Sequence, residues 1–231
     1  MRLLTWWLIC GLSLGLAQPA GAGEMRLGNV VPGAGVIHKS MLSLREARYV
    51  DLVPQSADFS CGAAALATIL KYGFGREATE QQVLREMLEI ADPDKVVRLG
   101  FSLLDMKNYA QKLGMKAAGI KIAPENLEKL KVPTIVLLDI KGYKHFAVLK
   151  KVKGDNVYLG DPALGNNVMK MKDFVPTWNG IVFAMVGEGY DKDTVLRRPR
   201  EPASARNLLT QRAPIVNAEI FEFGILHADL F

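Results

Sequence analysis

The spacing of apolar residues changes character along the chain, and each change marks a part. Residues 3–17 (LLTWWLICGLSLGLA) form an unbroken apolar run. The next stretch, 23–36, is rich in glycine with Pro32 inside it, which predicts an extended lead-in, and 37–53 (IHKSMLSLREARYVDLV) alternates apolar and polar positions as one or two strands would. Residues 61–72 (CGAAALATILKY) put Leu66, Ile69 and Leu70 on one face, which predicts a helix ended by Gly73 and Gly75. Thr79 and Gln82 have capping-box spacing ahead of an apolar stripe of Val83, Leu84, Met87, Leu88 and Ile90, a second helix. Ser102 caps a third over 103–113, closed by Gly114.

Beyond residue 130 the helical period disappears. PTIVLLDI (133–140) reads as a buried strand, HFAVLKK (145–151) and NVYL (156–159) as a hairpin turning at Gly154-Asp155, and IVFAMV (181–186) as one more strand. Helices followed by antiparallel strands predict an α+β fold, a helical lobe packed on an antiparallel sheet. The domain is expected over 50–187, after a lead-in at 23–49 and before a tail at 188–231. Charge and proline enter that tail, with Pro199 between Arg198 and Arg200, before it turns apolar again (AEIFEFGILHADLF). No internal repeat is present.

Composition narrows the classes. A chain of 231 residues with 49% apolar content can bury one substantial core, which excludes wholesale disorder, and 21 glycines without a period exclude collagen. The net charge of +5 is dispersed apart from Arg197, Arg198 and Arg200, so no nucleic-acid-binding stripe is expected. Arg2, the apolar run and the small residues Ala20-Gly21-Ala22 read as a secretory signal peptide over 1–22, cleaved after Ala22. The apolar run is 15 residues long, short of the roughly 20 that span a bilayer. If left uncleaved, the segment would hold the chain at the membrane. A periplasmic location is expected.

Cleavage also removes Cys10 and leaves one thiol, Cys61. A lone cysteine in an oxidising compartment is either a buried hydrophobe or a functional group. Cys61 opens the strongest helix, where unpaired backbone N–H groups and the dipole favour a thiolate nucleophile, and a polar Gln-Ser-Ala-Asp approach precedes it. A thiolate works with an imidazole, which needs an orienting partner. Of three histidines, His38 lies in the lead-in and His227 in the tail, whereas His145 opens an apolar strand. Asp161 follows the next strand and returns to the same end of the hairpin. Gln55, six residues before Cys61, can donate its amide to a developing oxyanion. Each residue alone has an ordinary structural reading; the combination points to acyl transfer. One cysteine and three dispersed histidines lack zinc-site spacing, and no metal or cofactor is expected.

In Val53-Pro-Gln55 with Asp58, Cys61-Gly-Ala-Ala-Ala-Leu, His145-Phe-Ala-Val and Gly160-Asp161-Pro, and more loosely in Phe174 to Gly180, the chain resembles the bacteriocin-processing, double-glycine cysteine peptidases, a papain-like family. The resemblance covers about residues 50–187. It implies Cys61 as nucleophile, His145 as general base and acid, Asp161 as its orienting carboxylate, Gln55 as oxyanion donor, and a protein or leader-peptide substrate cut after glycines. No ATP-binding P-loop accompanies the domain, so a stand-alone form is implied. With its signal and tail the chain looks most like the peptidase component of functional-amyloid (Fap) secretion systems, which implies amyloid-export components as partners. The residues leave open a transpeptidase or amidase on the same constellation, a non-cleaving substrate-binding or chaperone module of an export system, and an envelope interaction protein acting through its tail.

Overall fold

The computed structural model describes the backbone of residues 23–28 and 36–41 and all of residues 42–200. The expected signal peptide with Cys10, and the chain from 201 to 231 with His227, lie outside the described residues. Two units are present, divided after Ser43. In the first, β1 (Gly23–Gly28) pairs antiparallel with β2 (Val36–Met41), Gly23 opposite Met41.

The second unit opens with a short helix, α1 (Leu44–Arg48), where alternation had suggested that a strand would continue. The composition of LREAR explains the difference: Leu, Arg, Glu and Ala are all strong helix formers, and none of the five is buried. Then comes α2 (Cys61–Phe74), in which Ala63, Ala64, Ala65, Leu66 and Ala67 are wholly inaccessible. A helix buried on nearly all sides needs small residues where neighbours approach closely, which is what the alanine run supplies. Gly73 stays inside this helix, and Gly75 ends it, its left-handed φ of 61° directing its N–H to the Leu70 carbonyl.

Around α2 stand α3 (Glu80–Leu88), α4 (Pro93–Leu99) and α5 (Leu103–Lys112). Thr79 caps α3 by accepting the Gln82 N–H, but the Gln82 side chain donates to Glu86 instead of closing a box. Ser102 and Asp105 do form a reciprocal box on α5. The α4 helix was not expected. It buries only Val96, so it has no apolar stripe, and its signal is the Asp92 cap followed by Pro93.

The sheet has six strands, β3 (Lys116–Lys121), β4 (Thr134–Ile140), β5 (Tyr143–Lys153), β6 (Asn156–Asp161), β7 (Gly165–Lys170) and β8 (Trp178–Val186), in the order β3-β8-β4-β5-β6-β7, every pairing antiparallel. The edge strands β3 and β7 were not anticipated, since most of their residues are at least partly exposed and they carry little apolar alternation. One face of the sheet packs Ile135, Phe146, Val148, Phe183 and Met185 under the helices. The other packs Val136, Leu138, Ala147, Leu149 and Val182 against Leu127, Phe174 and Trp178. Neighbouring residues of one strand divide between the two clusters, the period-two signature of a sheet covered on both sides.

After β8 the chain returns to the C-terminal end of α2. The Tyr190 ring packs edge-on to Phe74, Asp191 N–H donates to the Gly73 carbonyl at 2.8 Å, and Leu196 is fully buried. The part of the segment after residue 187 that is described is therefore built onto the helical layer. Among the described residues no helix is long and apolar enough to cross a membrane.

Candidate active site

Cys61 is the first residue of α2 and is 6% exposed. The loop before it is held by side chains rather than by a ladder. Ser60 donates its hydroxyl to the Ala57 carbonyl and accepts the Ala57 N–H, tightening the turn into the helix. Glu80, 2% exposed in the first turn of α3, accepts both the backbone N–H of Ser56 at 3.2 Å and its hydroxyl at 2.8 to 2.9 Å. Beside the thiol, a Cβ on Gly62 would meet the Phe146 ring at 3.4 Å, so the helix start lies directly on β5.

His145 and Asp161 arrive on β5 and β6. A tight turn at Lys141-Gly142, both with positive φ (56° and 87°), joins β4 to β5 and places His145 three residues into its strand. The β5–β6 hairpin, with Lys153 opposite Asn156, then brings Asp161 back to it: His145 Nε2 lies 2.8 Å from Asp161 Oδ1, and each side chain is 4% exposed. The same carboxylate oxygen accepts the N–H groups of Ala163 at 2.8 Å and Leu164 at 3.0 Å.

These contacts decide the charge states. Burial pushes the Asp161 carboxyl upward, but the hydrogen bond and charge of His145 and the two N–H donors outweigh it and hold the group below the ordinary carboxylate value. Burial likewise opposes a charged ring at His145. The hydrogen bond to Asp161, the adjoining Cys61 thiol and the charges of both outweigh that, and the imidazole rises from 6.5 to about 9. An ionised carboxylate can only accept, so Nε2 carries the proton toward Asp161. The second nitrogen, Nδ1, is buried without a hydrogen-bond partner, and the Cys61 thiol lies alongside the ring without standard hydrogen-bond geometry. Nδ1 is thereby left as the atom that can exchange a proton with the thiol or with a bound substrate.

Gln55 is half-buried. Its N–H donates to the Pro162 carbonyl at 3.0 Å, which fixes it beside the segment that carries Asp161, and its amide donates to the Ala57 carbonyl at 3.1 Å. One amide hydrogen is left for another acceptor. The structure thus brings Cys61, His145 and Asp161 together and places Gln55 in the loop against them. His38 lies in β2, and no chemistry is assigned to it.

Sequence reasoning missed several residues at this site. The Tyr143 ring stacks on His145 with centroids 6.0 Å apart, and its hydroxyl donates to the Asp58 carbonyl at 3.3 Å, tying β5 to the approach loop. Burial raises the pKa of Tyr143, helped by the negative charges of Cys61, Asp58 and Asp161. Glu80 and Lys150 were not singled out at all. Nothing local in the sequence distinguishes either.

A thiol at a helix start, a proton-exchanging imidazole and a carboxylate fixing its tautomer can perform acyl transfer through a thioester. Two cavities of about 290 and 350 Å³ have walls that include none of Cys61, His145, Asp161 and Gln55, so the chemistry sits apart from them. Among the described residues no cluster of metal-ligating side chains is present.

Comparison with known proteins agrees with this chemistry. A model of the Peptidase C39 family matches residues 49–188. The chain is 50% identical over 201 residues to the "Probable functional amyloid protease FapD" of Pseudomonas aeruginosa, covering 87% of this chain and 89% of that protein. It is 47% identical over 223 residues to the protein of the same name from Pseudomonas fluorescens, covering 96% and 98%. Its fold is similar to the crystal structure of a double glycine motif protease from an AMS/PCAT transporter in complex with the leader peptide, with a TM-score of 0.50 and 30% identity over 58% of this chain and 89% of that one.

Proposed function

The chain belongs to the peptidase C39 family and is a cysteine peptidase, and on that footing we propose that it is a periplasmic endopeptidase that cuts an exported protein after small residues, glycine above all, within a functional-amyloid export system. The observation that carries the reading is the buried His145–Asp161 pair at 2.8 Å, which commits Nε2 and leaves Nδ1 to Cys61. The similarity to FapD supplies the amyloid context, and the likeness to a double glycine motif protease supplies the glycine preference. The N-terminal apolar run supplies the compartment.

In the proposed cycle the Cys61 thiolate adds to the scissile carbonyl. The oxyanion accepts hydrogen bonds from the free amide hydrogen of Gln55 and the backbone N–H of Cys61, a donor set worth roughly 3 to 4 kcal/mol of barrier per donor. Collapse breaks the C–N bond, and the proton on His145 Nδ1 passes to the departing amine. Nδ1 then takes a proton from water, whose oxygen attacks the thioester, and the acid product leaves as Cys61 regains its sulfur-centred charge.

The test compares the envelope proteins of cells carrying wild type and Cys61→Ala by intact mass. Expected is an uncut precursor that accumulates in the variant, while wild type yields fragments ending in glycine. An identical pattern in both strains discards the peptidase reading. Full export by cells carrying Cys61→Ala would instead favour a module that binds its substrate without cutting. Amino-terminal sequencing of the periplasmic protein is expected to begin at Gly23.

A further inference from the structure

Lys150 lies in the middle of β5 and is 6% exposed. The strand bulges at this residue: Leu149 stands opposite Leu159 and Lys151 opposite Tyr158, so Lys150 has no partner in the ladder. Bulges re-aim a side chain, and this one turns an ammonium group into the protein. It passes Gly160, where a Cβ would sit 2.9 Å from Lys150 Cε and 3.1 Å from Leu52 Cδ1, so that path exists because residue 160 has no side chain. The ammonium donates to the Asp51 carbonyl at 3.0 Å and to Asn166 Oδ1 at 2.7 Å. The Asn166 amide continues the chain of bonds to the carbonyls of Arg48 at 2.9 Å and Val50 at 2.8 Å.

Stability alone does not call for a lysine here. Among the described residues no carboxylate lies within ion-pair distance of it, and burial, partly offset by the charge of Asp51, lowers its pKa from 10.5 to about 8. An apolar side chain of the same length would fill the space without that desolvation. What the cation secures is the segment 48–51. That segment leads directly to Gln55, which is itself fastened to the Pro162 carbonyl, while Tyr49 donates its hydroxyl to the Ala163 carbonyl. One side of this seam leads to the proposed oxyanion donor, and the other carries Asp161.

We propose that Lys150 and Asn166 are positioning residues that hold Gln55 in register with the Cys61–His145–Asp161 cluster. This rests on the reading of Gln55 as the oxyanion donor. A displacement of about 1 Å in such a group costs on the order of 100-fold in rate.

The experiment follows cleavage of a fluorescence-quenched peptide spanning a Gly-Gly site, together with alkylation of Cys61 by iodoacetamide. Alkylation displaces iodide at a saturated carbon and needs no oxyanion stabilisation, so it reports the thiol and imidazole alone. For Lys150→Met, kcat is expected to fall about 10- to 100-fold with KM within about twofold, and the alkylation rate to stay within about twofold of wild type. The double variant with Gln55→Ala is expected to be no slower than Gln55→Ala by itself. Undiminished kcat, multiplicative losses in the double variant, or an equal fall in alkylation would each overturn the proposal. Should Lys150→Met be insoluble, Asn166→Ala, at the half-buried end of the same chain of bonds, decides by the same criteria. Lack of Cys61-dependent cleavage in the wild type overturns the peptidase reading beneath; Cys61-dependent cleavage with both positioning variants at full rate overturns this inference alone.

Discussion

The two halves of the site are built differently. Cys61, His145 and Asp161 stand on regular elements: a helix start, the beginning of a strand, and the end of the next strand in the same hairpin. Gln55 stands in a loop held to its surroundings by side chains from elsewhere, with Glu80 bonding Ser56, Thr68 accepting the Val53 N–H at 3.0 Å, and Lys150 and Asn166 holding 48–51. Backbone ladders make the first half robust, because its geometry follows from helix and hairpin pairing. The second half depends on a few buried polar groups, each of which fails separately. Damage to the first half should stop the chemistry, whereas damage to the second should grade it.

The largest effect expected from a change that keeps the nucleophile is that of Asp161→Asn. An amide at this position can present its NH₂ to Nε2 and so favour the wrong tautomer, and kcat should fall on the order of 10²- to 10⁴-fold. The variant also moves the pH profile. In the wild type the imidazolium persists up to about 9, because Asp161 and Cys61 overcome burial. With Asp161 neutralised, burial acts against less opposition, and the alkaline limb of kcat/KM is expected to move down toward the ordinary imidazole value of 6.5. Stability follows the same linkage. The raised His145 pKa contributes stability that is fully present below about 6.5 and is lost as the pH rises through about 9. The lowered Asp161 pKa contributes stability present above the ordinary 3.8 and lost as the pH falls through its depressed folded value. Denaturant midpoints of wild type and variant should therefore draw closer as the pH rises through about 9, where the part owed to the charged ring is lost, while the part owed to the Ala163 and Leu164 N–H groups remains. A variant that kept the alkaline limb near 9 would show that Asp161 does not set the charge of the ring.

The same division explains what the sequence made legible. The α2 helix, the β4, β5, β6 and β8 strands and the turn at 154–155 all announce themselves through period or turn chemistry, and the hairpin alone implied that residues 145 and 161 meet. The edge strands β3 and β7 and the helices α1 and α4 bury almost nothing on one face, so no apolar period marks them. Lys150 was invisible for another reason. Alternation assigns faces only while the register is unbroken, and the bulge between Leu149 and Lys151 breaks it. Glu80 was hidden because its partner, Ser56, is 24 residues away and no local pattern encodes a tertiary hydrogen bond.

Next in size is Glu80→Ala, which attacks the loop half. It leaves the N–H and hydroxyl of Ser56 without the buried acceptor they share. Hydrogen bonds to a charged group contribute about 1.5–3 kcal/mol each, and because Ser56 is exposed, water replaces part of the two that are lost, so a net loss of about 2–3 kcal/mol is expected in a denaturant titration. The approach loop should loosen with it, lowering kcat about tenfold while Cys61 alkylates at an unchanged rate. Glu80→Gln keeps one acceptor oxygen and should fall between the two. Alkylation that slowed in step with kcat would mean that the loop also sets the thiol, and the two halves could no longer be treated as separate.

The smallest effect is the control that the comparison needs. Ser102 caps α5 by accepting the Asp105 N–H at 3.2 Å, while Asp105 accepts the Ser102 N–H at 2.8 Å, and this box is exposed. Ser102→Ala removes the acceptor of the Asp105 N–H together with the exposed bond that the Ser102 hydroxyl donates to the Asp105 carboxylate at 2.7 Å, for about 1 kcal/mol, which lowers Tm by about 2–4 °C in a domain of this size. The loss should stay where it is made. The core contacts of α5 run through Met106, Tyr109 and Ala110, all downstream of the cap and buried independently of it. Cleavage below Tm should therefore proceed at the wild-type kcat. A loss of stability twice as large, as in Glu80→Ala, should slow turnover only because it strikes the loop that holds Gln55. If Ser102→Ala slowed cleavage as much as Glu80→Ala, stability rather than loop geometry would be governing the rate.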